Sequence, residues 1–173
     1  NRRKHAMAAV TFDVPFVLGM MRLHEAQEMH QASQLADWIE ARLEQGLHGF
    51  DHADIYGSGA CETLFGQALR ARPALAKRLH VVTKASIAND NPSAGGQLMQ
   101  GEVSRALNRL AGELGSTPAA LALAWLRTLP GRPAPVVGSV KAERIADMLN
   151  GPEALPREAW YELLEAARGH CVA

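Results

Sequence analysis

Three side chains with complementary proton chemistry fall at the ends of predicted strands: Asp51, Tyr56 and Lys84. Asp51 and Tyr56 bound the segment Asp51-His52-Ala53-Asp54-Ile55-Tyr56, and Lys84 closes Val81-Val82-Thr83-Lys84. A free tyrosine titrates near ~10 and is a poor acid at neutral pH. A nearby ammonium lowers that value by stabilising the phenolate. A carboxylate beside the lysine keeps the lysine charged and in place. Gathered together, the three make a proton donor suited to a carbonyl oxygen that is accepting a hydride. Spacing alone also admits a plainer reading, a surface tyrosine beside an ordinary salt bridge.

The hydrophobic pattern supplies the elements that would gather them. The run Pro15 to Met21 reads as a strand ending near a glycine. Leu35, Trp38, Ile39 and Leu43 then recur at helical spacing, and Gly46 and Gly49 bracket the helix end. Strands are predicted over residues 15–21, 50–55, 79–84 and 135–138, all parallel, the last of them buried. Helices are predicted over Cys61–Leu69, Glu102–Leu114, Ala119–Leu129, Lys141–Leu149 and Arg157–Arg168. Ser116 or Thr117 caps the apolar helix, with Pro118 in its first turn. Alternating units with buried apolar strands imply an α/β fold with a parallel sheet covered by helices. Such folds place their active sites at the C-terminal ends of the strands. Asp51, Tyr56 and Lys84 are therefore expected to cluster at one mouth, with Gly138-Ser139 at the end of the last strand.

Composition narrows the function classes. Eighteen Lys and Arg balance 18 Asp and Glu, and 47% of the 173 residues are apolar. That excludes a mostly disordered chain. With no net basic field, it also argues against a general nucleic-acid or membrane-surface binder. The length suits one domain over residues 1–173. Cys61 and Cys171 suggest neither a disulfide framework nor a zinc site, and no apolar run is long enough to span a membrane. The basic start Asn1-Arg2-Arg3-Lys4-His5 is followed by an apolar stretch too short for a signal peptide. A cytoplasmic location is expected. No metal site is expected either: Asp51 and His52 are adjacent on a strand and point to opposite faces. His24 and His30 read as solvated histidines. Gly57-Ser58-Gly59 hints at a dinucleotide fingerprint, but Glu62 stands where the third glycine belongs.

As a set these residues resemble the aldo-keto reductase family. Phe50-Asp51-His52-Ala53-Asp54-Ile55-Tyr56-Gly57 and the following Glu62-x-x-x-Gly66-x-Ala68-Leu69 are similar to its bacterial oxidoreductase branch. Leu18 to Leu23, Val81 to Lys84, Pro92 to Leu98, Pro118 to Trp125 and Val136 to Arg144 resemble further family stretches, in the family's order. The resemblance implies a (β/α)8 TIM barrel that binds NADPH and reduces a small carbonyl substrate. Tyr56 would be the proton donor, Lys84 would tune it, and Asp51 would pair with Lys84. Gly19, Met20 and Met21 would border the nicotinamide. Ser93, Ala94, Gly95, Gly96 and Leu98 would run along the pyrophosphate. Gly138, Ser139, Lys141 and Arg144 would approach the 2′-phosphate.

One departure is large. The family's fourth-strand histidine, in a Leu-x-x-His-x-Pro-Asp stretch, has no counterpart here, nor do the Asn and Gln that hold the nicotinamide carboxamide. The barrel usually takes about 250 residues. The sequence reads as strands one to three plus the C-terminal part, with a gap or deletion near residues 88–92. The favoured expectation is that an intact reductase carries further residues there, because a true deletion exposes two buried strand edges. The alternative is a truncated, non-catalytic remnant that binds only cofactor or a partner.

Overall fold

The computed structural model describes residues 14–84, 100–129, 133–169 and 171. Strand β1 (Val17–Gly19) leads through two short 3-10 turns into helix α1 (Ala32–Glu44). Strand β2 (Gly49–Asp51), helix α2 (Ala60–Ala71) and strand β3 (His80–Val82) follow. Helices α3 (Gln100–Glu113) and α4 (Pro118–Arg127) precede strand β4 (Val136–Val137). Helices α5 (Ala142–Leu149) and α6 (Arg157–Arg168) follow. The four strands form one sheet in the order β3-β2-β1-β4, and every pairing is parallel. The strands are shorter than the sequence predicts. At the end of β1 the Met20 N–H turns to the Asp51 carbonyl at 2.9 Å, and beyond β2 the Tyr56 N–H closes a turn on the Ala53 carbonyl.

Two apolar clusters hold the elements. In the larger, Leu18 of β1 and Phe50 of β2 are register neighbours and fully buried. The Phe50 ring lies 5.3 Å from Phe65 of α2, and α1 contributes Leu35, Ile39 and Leu43. The smaller cluster joins Leu110 of α3, Leu121 of α4 and Leu163 of α6. Helix α4 starts where the sequence places it, with the Thr117 hydroxyl accepting from the Ala120 N–H at 3.2 Å and Pro118 in the first turn. Across the seam of α1 and α2, Arg72 pairs with Asp37 at 2.5 Å and Glu40 at 2.6 Å. Partly exposed pairs of this kind contribute about 0–1 kcal/mol. Burial of each large apolar side chain contributes about 1.5–3 kcal/mol. Apolar packing therefore decides the arrangement.

The expected burial of the outer strands does not hold. Val81 and Val82 of β3 are 45% and 39% exposed, and Val136 of β4 is 57% exposed. The physical reason is the strand order. β3 and β4 are the two edges of the sheet and have no further strand beside them among the described residues.

Asp51, the last residue of β2, and His52, the next in the chain, point to opposite sides of the extended backbone. Asp51 faces Lys84, and His52 packs edge-on against Phe65 with ring centroids 4.6 Å apart. His52 is 1% exposed, and neither ring nitrogen has a hydrogen-bond partner among the described residues. Burial pushes its pKa down, against the upward pull of Glu62 and Asp51. A base depressed in the folded state binds fewer protons than the unfolded chain below the free value of about 6.5. Stability therefore falls as pH drops below that value. The His52→Leu variant is expected to flatten this acid limb in urea titrations between pH 7 and pH 5, and an unchanged limb would count against it. Phe50→Ala is expected to cost about 3–5 kcal/mol in the same titration at neutral pH.

Candidate active site

The sheet sets Asp51 and Lys84 side by side. The ladder continues past the strand ends, with the His52 N–H on the Val82 carbonyl at 2.7 Å and the Asp54 N–H on the Lys84 carbonyl at 3.1 Å. The Lys84 ammonium donates to Asp51 Oδ1 at 2.5 Å. The Tyr56 hydroxyl donates to Asp51 Oδ2 at 3.3 Å. Lys84 Nζ lies 5.5 Å from the centre of the Tyr56 ring. One carboxylate thus holds both the cation and the phenol. The Asp51 side chain is 16% exposed and that of Lys84 51%. The ion pair is partly covered at its acidic end and open at its basic end.

Partial burial pulls the Lys84 pKa down, but the hydrogen bond and charge of Asp51, with a smaller contribution from Tyr56, outweigh it and leave the net shift upward. Lys84 stays cationic across the neutral range. A fixed ammonium beside a phenol stabilises negative charge that develops on the phenol oxygen when its proton leaves.

A second feature lies beside the end of β4. A cavity of about 320 Å³ is lined by Arg22, Glu25, Glu28, Ser139, Lys141 and Arg144. Lys141 and Arg144 stand at the start of α5, and the Lys141 N–H donates to Ser139 Oγ at 3.3 Å. Two cations, a hydroxyl and a helix N-terminus form a donor set that fits a phosphate. The two glutamates carry opposite charge into the same cavity. The loop is pinned from behind, because the Trp38 indole N–H of α1 donates to the Val140 carbonyl at 2.9 Å.

The remaining expected positions divide. Gly19 sits where a Cβ would come within 3.0 Å of Val136 Cγ1, so it serves the close approach of β1 and β4. Met20 is fully buried in the larger cluster, and Met21 is 51% exposed. Gly138 is exposed at the end of β4. Ser93, Ala94, Gly95, Gly96 and Leu98 lie outside the described residues, as does the junction near residues 88–92.

Some contacts had no sequence signal. The Tyr56 turn runs into α2 through Gly57, Ser58 and Gly59, all with positive φ. A Cβ on Gly57 would stand 2.8 Å from His24 Cγ. The reading of His24 as a solvated histidine is therefore corrected. Its ring packs on Gly57, and its Nδ1 lies 3.1 Å from the Met21 carbonyl and 3.4 Å from Cys61 Sγ. Arg22 falls in the Leu18 to Leu23 stretch without a role being marked for it, and the Trp38 anchor had no motif signal, since Trp38 belongs to the apolar face of α1. No group of three metal-ligating side chains occurs among the described residues.

The chain is similar to known oxidoreductases. Oxidoreductase YdhF of Escherichia coli is 44% identical over 73 residues, which is 42% of this chain and 24% of YdhF. Uncharacterized oxidoreductase YcsN of Bacillus subtilis is 40% identical over 74 residues, 43% of this chain and 24% of YcsN. The 6-dehydroglucose reductase of Agrobacterium fabrum is 39% identical over 71 residues, 41% of this chain and 24% of that protein. The match spans about a quarter of the length of each relative. A crystal structure of the thermostable aldo-keto reductase Tm1743, bound to the inhibitor epalrestat, superposes with a TM-score of 0.63. It is 13% identical, and the superposition covers 88% of this chain and 94% of that one. That likeness identifies the fold as an aldo-keto reductase TIM barrel whose sheet is incomplete here. Residues 15–102 match the sequence model of the Aldo/keto reductase family, and the chain belongs to that family.

Proposed function

We propose that the protein is an NADPH-dependent carbonyl reductase in which Tyr56 supplies the proton. The observation that carries this reading is the Asp51 carboxylate shared between the Lys84 ammonium and the Tyr56 hydroxyl. When bound, NADPH supplies the hydride. Tyr56 gives its proton to the carbonyl oxygen as the carbon is reduced. Lys84 stabilises the charge left on the Tyr56 oxygen, and Asp51 holds Lys84 in place. Ser139, Lys141 and Arg144 would hold the 2′-phosphate, and Met21 would border the nicotinamide ring. Substrates would be small aldehydes or ketones.

A second reading is a chain that keeps part of the cofactor site without turning over. An NADPH titration combined with aldehyde-dependent NADPH oxidation separates the two. Binding without oxidation supports the remnant.

In the active protein Tyr56→Phe is expected to lower turnover by about 10²–10⁴ with NADPH binding retained. Near wild-type reduction by that variant would refute the proposed proton donor. Arg144→Ala is expected to weaken NADPH about tenfold and leave NADH nearly unchanged, since a charge-assisted contact contributes about 1.5–3 kcal/mol. Equal losses for both cofactors in a binding titration would refute the phosphate assignment.

A further inference from the structure

We propose that His24 is a positioning residue that locks the turn after β1, on the nicotinamide side, to the turn that carries Tyr56. The inference rests on the reductase reading above. Three elements meet at this imidazole. Its Nδ1 is 3.1 Å from the carbonyl of Met21, in the turn that follows β1. The Cys61 thiol, in the first turn of α2, lies 3.4 Å from the same nitrogen and 3.6 Å from the same carbonyl. The ring also fills the space that a side chain at residue 57 would occupy, directly after Tyr56 in the chain.

A proton on His24 Nδ1 lets the arrangement satisfy itself. The N–H and the Cys61 S–H then converge on the Met21 carbonyl, which has two lone pairs. Burial pushes the Cys61 thiol pKa up, so the sulfur remains a donor. His24 is itself held, because its carbonyl accepts from His30 Nε2 at 2.9 Å. The geometry matters because hydride and proton must reach neighbouring atoms of one carbonyl group. Met21 borders the hydride side and Tyr56 delivers the proton. A displacement of about 1 Å between such partners can cost on the order of 100-fold in rate. No side chain on Gly57 could do the same work, since its φ of +57° disfavours any Cβ.

The sequence contains two tyrosines, Tyr56 and Tyr161, so tyrosine labelled with carbon-13 at Cζ gives two resolvable reporters. His24→Leu keeps the bulk against Gly57 and removes the donor, whereas His24→Asn keeps a donor near the Nδ1 position. His24→Leu is expected to shift the Tyr56 resonance, leave Tyr161 in place, and lower kcat about tenfold or more. NADPH affinity should stay within about threefold. His24→Asn is expected to recover most of both changes. Cys61→Ala, which removes the second donor, should shift Tyr56 in the same direction by less, and it provides the readout if His24→Leu does not fold. An unmoved Tyr56 resonance, or an Asn variant as impaired as the Leu variant, overturns the proposal. The failure of the reductase reading looks different: Tyr56→Phe would retain turnover. If the wild-type chain does not turn over, the resonance shifts decide the positioning question alone.

Discussion

A carboxylate at the end of a central parallel strand is costly to bury unless its oxygens are used. Asp51 uses both, one for Lys84 and one for Tyr56. Its backbone carbonyl takes the Met20 N–H as well, which ends β1 and starts the turn towards Met21. One residue therefore ties the tips of three strands to the turn before α2. The ladder bonds past β2 and β3 fix Lys84 at the height where its ammonium meets that carboxylate. Removing the acid would leave a cation and a phenol with no common partner.

The parts legible in the sequence were those governed by short-range rules. Alternation continuing past the end of β2 separates Asp51 from His52. Ser116 or Thr117, with Pro118, marked the start of α4, and Thr117 makes the cap. The order of alternating elements gave a parallel sheet, and the sheet is parallel throughout. What escaped depends on contacts across space. His24 and Gly57 are distant in sequence and touch only because two turns face each other. Trp38 read as an ordinary core residue of α1, but its indole N–H reaches the loop before α5. Apolar strands look alike whether central or peripheral, so nothing in Val81, Val82 or Val136 marked them as edges.

Those edges govern how the half of the barrel seen here behaves. In a closed (β/α)8 barrel every strand has two neighbours and the interior is filled from all sides. Here β1 and β2 meet that condition, while β3 and β4 each keep one side of the ladder open among the described residues. The proton-transfer cluster sits on the β2–β3 side and the cation-lined cavity beside β4. Each half of the site thus adjoins an edge, and the central pair of strands carries their alignment.

The left-handed turn between Tyr56 and α2 also restricts which sequences this lineage can explore. Every single-base change in a glycine codon that alters the amino acid adds a Cβ. At Gly57 that atom would meet both an unfavourable φ of +57° and the His24 ring at 2.8 Å. At Gly59, with φ +88°, there is space for the atom but the backbone is strained. Ser58, with φ of 54°, already tolerates the left-handed region, and Asn or Asp would suit it better. Drift in this turn is therefore channelled through its middle position. Gly57 is held by its backbone conformation and by the imidazole beside it, and Gly59 by its backbone alone.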